Sequence, residues 1–322
     1  MSVPLVERCS PEEREEALGV LYQRIPDSLR PGLIAEALSE ALSGRLDLSG
    51  LWIARGRPWP LKARGPDGRI IGALLTQELA GRAAAIWAPE VRPSWHRSGI
   101  AVALVRSALL QLQVRGFQIV QAVLDTTANR RGAVDLAQGG MRRVTELLYL
   151  ERETRIPLRP PGGKKPPALN WQPFRWDREA EFRAFLKATY SSSLDMPELE
   201  GVRSLDDVIA GHRATGQFLP ERWQLARVPG EPDAAAILLL AEIPDRDVWE
   251  VAYLGLTPPA RGRGLGHAAI AHALELARPH TSHLELAVDA RNHPAIRLYR
   301  STGFVPFDRR SVYLVVFPAP DH

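Results

Sequence analysis

A glycine-rich turn between an apolar run and a helical repeat is the feature that most constrains this chain. The turn, residues 261–266 (RGRGLG), follows the apolar run 251–256 and precedes apolar residues spaced as on one helix face, at Ala269, Ile270, Ala273, Leu274 and Ala277. Backbone N–H groups at a helix start have no partner within the helix, and the aligned peptide dipoles favour an anion there. We expect the glycines to leave the approach open and Arg261 and Arg263 to add charge. The sequence therefore predicts a phosphate-binding turn between a strand and a helix.

Two common nucleotide-binding motifs do not fit this turn. The Rossmann motif needs Gly-x-Gly-x-x-Gly after a first strand, with an acidic residue about 20 residues later. The P-loop motif needs Gly-Lys-Ser/Thr. The turn at 261–266 has neither pattern.

Composition predicts a cytoplasmic protein with two ordinary cores. The chain has 322 residues, of which 45% are hydrophobic, enough for cores of about 150 residues each. The 41 basic and 37 acidic residues nearly balance, so we expect no nucleic-acid partner. The longest apolar run, 234–241, is too short to cross a bilayer, and no signal peptide or membrane contact is expected. Cys9 is the single cysteine, which fits a reducing compartment.

A segment rich in proline and glycine, 157–167 (PLRPPGGKKPP), predicts a semi-rigid linker. The same order of elements is predicted on both sides of it. In the first half the hydrophobic patterns predict strands over 51–55, 70–78, 83–91, 118–123 and 146–151 and helices over about 99–115 and 130–138. In the second half they predict strands over 223–227, 235–243, 248–256, 283–288 and 309–317 and helices over 266–277 and 294–301. The chain is therefore predicted to be a duplicated α/β domain, with domains at 1–155 and 169–322 and a linker at 156–168.

The turn pattern Arg-x-x-Gly-x-Gly resembles the acyl-CoA signature of the GCN5-related N-acetyltransferase (GNAT) family. A second segment resembles the family pattern downstream, through Asn292, Ala295, Leu298, Tyr299, Gly303 and Phe304. Residues 250–258 (EVAYLGLTP) and the tandem arrangement resemble the mycothiol synthase type of this family. The resemblance implies two tandem GNAT (acyl-CoA N-acyltransferase) folds, each an α/β fold on a mixed sheet.

The resemblance also implies a cosubstrate, acetyl-CoA. No metal is expected, because His272, His280 and His283 have no cysteine nearby and catalytic zinc normally needs three firm ligands. It places the pantetheine arm along the backbone of Leu254, Gly255 and Leu256. It places the diphosphate at the turn formed by Arg261, Gly262, Arg263, Gly264, Leu265 and Gly266. His267 lies near the phosphates on this view, or is an ordinary surface histidine. Asn292 meets the pantetheine arm, or caps its helix.

Two residues are implied to be catalytic. Glu250, on the strand before the turn, corresponds to the family carboxylate that deprotonates the acceptor ammonium, and partial burial would raise its pKa usefully. Tyr299 corresponds to the family tyrosine that protonates the departing thiolate. The alternatives are a solvated glutamate at a strand end and a core tyrosine with a bonded hydroxyl.

The first half lacks these groups. Where the second half has Glu250, Tyr299 and Arg261, the first half has Ala85, Leu136 and His96, so the chemistry is expected in the second half. Five acidic residues there suggest a rim that attracts a cationic amine, or an ordinary solvated loop: Asp195, Glu198, Glu200, Asp206 and Asp207.

The predicted function is transfer of the acetyl group of acetyl-CoA to a primary amine of a small molecule. The alternative is a non-catalytic module that binds or senses acyl-CoA. The acceptor, the acyl length and the oligomeric state do not follow from the sequence.

Overall fold

The chain forms two compact units, one of Met1–Val144 with Ser311–His322 and one of Thr145–Arg310. The structure, a computed structural model, describes residues 5–56, 68–93, 97–125, 127–158 and 167–318. His96 and residues 159–166 of the predicted linker lie outside the described residues. Among the described helices, none combines the length and the apolarity that a membrane crossing needs.

The first unit is an α/β unit in which helices cover a mixed sheet. Its strands are β1 (Leu5–Arg8), β2 (Leu51–Arg55), β3 (Ile70–Leu79), β4 (Ala83–Ile86), β5 (Glu90–Val91) and β6 (Ile119–Leu124). Its helices are α1 (Arg14–Leu21), α2 (Arg30–Leu42), α3 (Arg97–Val114) and α4 (Arg130–Gly139). The strands pair in the order β1-β2-β3-β4-β6, with β4 and β6 parallel and β5 paired to β3.

One predicted strand of the first unit is wrong. The strand expected over 83–91 is two strands, β4 and β5, which both pair with β3 but are separated by residues 87–89. Pro89 lies in the break. A proline has no N–H to donate to a ladder and restricts the residue before it, so the pairing stops and restarts there.

The second unit repeats this architecture. Its helices are α5 (Glu179–Tyr190), α6 (Leu205–Arg213), α7 (Leu265–Ala277) and α8 (His293–Ser301). Its strands are β7 (Arg142–Glu153), β8 (Asn170–Pro173), β9 (Trp223–Arg227), β10 (Ala234–Ile243), β11 (Val248–Leu256) and β12 (His283–Asp289). They pair in the order β7-β12-β11-β10-β9-β8, with only β11 and β12 parallel among these neighbours. The last strand of the chain is β13 (Val305–Val316).

Each sheet is covered on both faces by apolar side chains. In the second unit one core lies under α7 and α8, and the other lies under α5 and α6. The predicted helical stripe of α7 is buried, and residues of β10 are buried on both faces, as a central strand requires. The site described below lies in the sheet between these two cores.

Each unit contains one strand that its position in the sequence would assign to the other unit. The end of β13, from Ser311 to Val316, pairs antiparallel with β6 in the first unit. Residues 147–153 of β7 pair antiparallel with β12 in the second unit. The predicted boundaries at 155 and 169 follow the order of the chain, whereas the two units each include a strand that lies beyond those boundaries.

Candidate active site

The parallel strands β11 and β12 separate after their first residues. Their ladder pairs Trp249 with Leu284 and Glu250 with Glu285, and no further register pair joins them in the described chain. On the other side of β11 the register with β10 shifts, because Leu239 faces Tyr253 and Leu240 faces Val251. Ala252 is therefore an extra residue, a β-bulge, which bends its strand. The sheet thus opens into a gap bordered by the backbone of β11 from residue 251 onward.

The predicted pantetheine-binding residues lie along this gap. Leu254, Gly255 and Leu256 follow the bulge on β11. Gly255 is buried, and a Cβ there would lie 2.6 Å from the Tyr253 ring and 2.7 Å from the Thr189 Cβ. The glycine is therefore required by the close approach of α5 to the strand. Free strand backbone of this kind can pair with the amides of an extended ligand.

The glycine turn has the geometry of an anion cradle. Gly262 and Gly264 have φ of +75° and +78°, a conformation that favours glycine, and Gly264 is the residue before helix α7. In the described chain the backbone N–H groups of Gly264, Leu265 and Gly266 donate to no protein acceptor. A Cβ on Gly266 would lie 2.8 Å from Leu298, so this glycine lets α7 approach α8 closely. The turn therefore presents unpaired donors at a helix N-terminus.

The two arginines of the turn are engaged elsewhere. Arg261 donates to the carbonyls of Leu256, Thr189, Ser191 and Ser192 over 2.8–3.2 Å. Arg263 forms a two-bond pair with Glu231, at 2.5 and 3.0 Å. The expected addition of positive charge to the cradle stays a prediction, and both guanidinium groups already have protein partners. The backbone N–H groups of residues 264–266 have no protein partner and are therefore available to an anion.

His267 and Asn292 both hold local structure. The Nε2 of His267 lies 2.9 Å from the Ser301 hydroxyl, linking the first turn of α7 to the end of α8, and burial lowers the pKa of His267. Asn292 precedes α8, and its Oδ1 accepts the N–H of Ala295 at 3.2 Å. The capping role for Asn292, one of the two interpretations, is thus present in the structure.

Glu250 is half-buried beside the start of the gap. In the described chain its carboxylate has no hydrogen-bond or ion-pair partner. Burial raises the pKa of Glu250, and repulsion by Glu285 raises it further, while Arg246 opposes both. Arg246 forms an ion pair with Glu285 at 2.6 Å. An unpaired carboxylate with a raised pKa is suited to accept a proton near neutral pH.

Tyr299 is 7% exposed and packs in the core under α7 and α8, with its ring 5.8 Å from that of Phe304. Its hydroxyl forms no hydrogen bond within the described residues. Burial raises the pKa of Tyr299, and the nearby Asp195 and Tyr253 raise it further. Glu250 and Tyr299 make no direct contact in the described chain. Because its pKa is raised, the Tyr299 phenol is protonated at neutral pH and can donate its proton.

The sequence reasoning missed a group of aromatic and polar residues on the α5–α6 side of the gap. The Tyr253 hydroxyl lies 2.8 Å from the Thr189 Oγ1, and the Tyr190 hydroxyl lies 2.6 Å from the His212 Nε2. Burial lowers the pKa of His212 to about 4, so this imidazole is neutral at pH 7. Tyr253 lies three residues after Glu250 on β11, just beyond the bulge. This spacing along the strand was the sequence signal that could have identified Tyr253 as a site residue.

The five acidic residues of the predicted rim do not form one charged surface. They belong to the loop between α5 and α6, residues 191–204, here called the 191–204 loop, and to the start of α6. Glu198 pairs with Arg291, and Asp206 pairs with Arg183. The Asp195 carboxylate accepts the backbone N–H of Asp289 at 2.9 Å. Burial among neighbouring groups raises the pKa of Asp195.

Within the described ranges, no group of three or more histidine, cysteine, aspartate or glutamate side chains is placed to hold a metal ion. The candidate site therefore consists of the open strand edge, the anion cradle, and the side chains of Glu250 and Tyr299.

Comparisons with known proteins agree with this geometry. Residues 173–304, which contain the gap and the cradle, match the model of the acetyltransferase (GNAT) family. The mycothiol acetyltransferase of Actinosynnema mirum is 31% identical over 220 residues, which are 66% of this chain and 69% of that protein. The chain belongs to the GNAT family. The mycothiol acetyltransferase of Beutenbergia cavernae is 33% identical over 186 residues, 54% of this chain.

The matched regions cover 60% of the Beutenbergia cavernae protein and 63% of the corresponding protein of Acidothermus cellulolyticus. Among solved structures, a GCN5-related N-acetyltransferase from Sphaerobacter thermophilus has a TM-score of 0.58 at 18% identity. Its match covers 100% of this chain and 98% of that one. The predicted fold class, two tandem GNAT folds on mixed sheets, is confirmed, as is the predicted family.

Proposed function

We propose that this protein transfers the acetyl group of acetyl-CoA to a primary amine of a small molecule, and that the chemistry takes place in the second unit. The observation that carries the proposal is the gap between β11 and β12 with an anion cradle at its end. The free strand edge can pair with the amides of a ligand arm, and the unpaired N–H groups at the helix start that follows can bind a diphosphate at the end of that arm. The relatives named mycothiol acetyltransferases support a small-molecule acceptor.

Glu250 is proposed to take a proton from the acceptor ammonium, directly or through one water molecule. Its raised pKa, and the absence of a hydrogen-bond or ion-pair partner for its carboxylate among the described residues, support this role. The neutral nitrogen then attacks the thioester carbonyl, and the carbonyl oxygen becomes an oxyanion. A backbone N–H of β11 beyond the bulge is placed to stabilise that charge.

Tyr299 is proposed to protonate the sulfur as the carbon–sulfur bond breaks, so that the products are the acetylated amine and free CoA. A buried phenol without a protein hydrogen-bond partner supports this role, because its proton is available to a ligand. After the attack the nitrogen carries one surplus proton, which returns the Tyr299 phenolate to the phenol, and the proton that Glu250 accepted leaves to solvent.

The first unit is proposed to be non-catalytic. Ala85 on β4 and Leu136 on α4 occupy the places that Glu250 and Tyr299 have in the second unit, and neither side chain can transfer a proton. Leu136 is fully buried in the core under α3 and α4, which is a packing role.

The test is release of free thiol from acetyl-CoA in the presence of a panel of primary amines. We expect Glu250→Gln and Tyr299→Phe each to lower kcat by about 10²-fold or more, the range for loss of a general base or acid, with little change in the Kd of CoA. Leu136→Tyr in the first unit is not expected to restore activity to either variant. Full activity in both variants would refute the assigned roles. Binding of acetyl-CoA without turnover of any amine would favour the alternative, a non-catalytic acyl-CoA-binding module.

A further inference from the structure

The 191–204 loop borders the gap but has little regular structure of its own. Ser192 and Met196 have φ of +54° and +45°, values that residues other than glycine rarely adopt. Such conformations persist when contacts from neighbouring elements hold them. The residues that make those contacts therefore determine the position of the loop and of Asp195 within it.

Arg261 holds the beginning of this loop. Its Nη2 donates to the carbonyls of Thr189 and Ser191 at 3.1 and 2.8 Å, and its Nη1 donates to that of Ser192 at 3.0 Å. Its Nε donates to the carbonyl of Leu256 at the end of β11, at 3.2 Å. A guanidinium has five N–H donors, and four are used here. The carbonyls of Thr189, Ser191 and Ser192 lie at and just beyond the C-terminal end of α5, where a cation is favoured by the helix dipole.

The middle of the loop is held from β12. The Asp289 carboxylate accepts the N–H of Met196 at 3.2 Å, and the Asp289 N–H donates to the Asp195 carboxylate at 2.9 Å. Arg291 pairs with Glu198 through two hydrogen bonds, at 2.6 and 2.9 Å. The loop is thus attached to the ends of both strands that border the gap.

We propose that Arg261 is a positioning residue for the acceptor side of the site, and that it is not a ligand of the diphosphate. Its side chain links the glycine turn to the 191–204 loop and thereby sets the distance between the bound cosubstrate and Asp195. That this side of the site binds the acceptor rests on the proposed function, whereas the connection between the turn and the loop rests on the four carbonyl contacts of Arg261. The diphosphate is then held by the backbone N–H groups of residues 264–266.

The experiment compares Arg261→Met, Arg261→Lys and Arg263→Met in the full chain. Arg263 is the matched control because it lies in the same turn, carries the same charge and pairs with Glu231 rather than with the loop. Two measurements are made on each variant: amide hydrogen exchange over residues 189–200, and the Kd of CoA by calorimetry. A third, the KM of acetyl-CoA and of the amine, follows wherever turnover is detected.

We expect Arg261→Met to speed exchange over 189–200 by about ten-fold or more and to change the Kd of CoA by less than about three-fold. Arg261→Lys should fall between wild type and Arg261→Met, because an ammonium cannot span four carbonyls. Arg263→Met should leave the exchange of the loop as in wild type. In turnover, Arg261→Met should raise the KM of the amine more than that of acetyl-CoA.

Loop exchange that is unchanged in Arg261→Met would overturn the proposal. So would a ten-fold or larger loss of CoA affinity in Arg261→Met that Arg263→Met does not share, since that result identifies Arg261 as a phosphate ligand. Absence of CoA binding or of turnover in the wild-type protein would contradict the proposed function, and the loop exchange would still decide the role of Arg261.

Discussion

At the scale of single residues, the site depends on what surrounds one carboxylate. Glu250 lies next to Glu285 in the β11–β12 ladder, and Glu285 in turn pairs with Arg246. Because like charge favours the protonated carboxyl, this arrangement adds to the effect of burial on the pKa of Glu250. Under the proposed mechanism, Glu285 and Arg246 therefore influence the pH dependence of the reaction through the pKa of Glu250.

We predict opposite pH shifts for two substitutions. A general base acts in its ionised form, so a raised pKa moves the acidic limb of kcat/KM to higher pH. Glu285→Gln removes the repulsion, lowers the pKa of Glu250 and should move that limb to lower pH. Arg246→Met removes the attraction and should move it to higher pH. The measurement is kcat/KM against pH, with Asp177→Asn, an exposed carboxylate elsewhere in the unit, as the control. Coincident profiles would show that Glu250 is not the titrating base.

Side-chain roles could be predicted from sequence only where neighbours in the chain determine them. The placement of Glu250 on a strand before a glycine turn, and of Tyr299 on the buried face of a helix, agrees with the structure. Three of the four partners of Arg261 could not be predicted, because they lie 69–72 residues away and are backbone carbonyls, which any residue supplies.

At the scale of elements, helix α7 begins after Gly264, which has a positive φ, and the backbone N–H groups of residues 264–266 have no protein acceptor in the described chain. Strands 223–227 and 248–256 have the predicted bounds because buried apolar runs end at polar or proline residues. The bulge at Ala252 could not be predicted, since it depends on the register with β10. Helices α1, α2, α5 and α6 and strands β1 and β8 were not predicted.

We predict that Gly264→Ala weakens CoA binding by about ten-fold and lowers the free energy of unfolding by about 1 kcal/mol. The loss of affinity follows because alanine disfavours the positive φ that aims the N–H groups outward. Gly44→Ala is the control: Gly44 has φ of +75° in the first unit, away from the site, and a Cβ there meets no atom within 4 Å. Calorimetry and denaturant unfolding should show similar destabilisation in both variants and weaker CoA binding only in Gly264→Ala. Equal affinities in the two variants would remove the cradle from the binding site.

At the scale of the whole molecule, each unit includes a strand from the other half of the sequence: β7 pairs in the second unit, and the end of β13 pairs in the first. Hydrophobic patterning predicted that strands lie near 146–151 and 309–317, and β7 and β13 contain these segments. Patterning could not predict which sheet each strand joins, because both sheets offer an antiparallel edge to an apolar strand.

We predict that removal of residues 311–322 destabilises the first unit, although these residues belong to the second half of the sequence. The deletion removes the partner of β6 and exposes its edge. Hydrogen exchange of the backbone amides in β6 should rise by more than ten-fold, while that of β10 should stay close to wild type. Removal of residues 11–13, a short turn with no buried residue, is the control. Unchanged protection of β6 would contradict the observed pairing.

The exchanged strand also sets an order of events during synthesis. Strand β6 ends at residue 124, and its neighbour begins at Ser311, so almost the entire second repeat must be translated before the first sheet can close. At roughly 5–20 residues per second, the interval is on the order of ten to forty seconds. Throughout that time the nascent chain carries an unpaired edge on β6, and the first sheet is completed only after residues 311–316 have been translated.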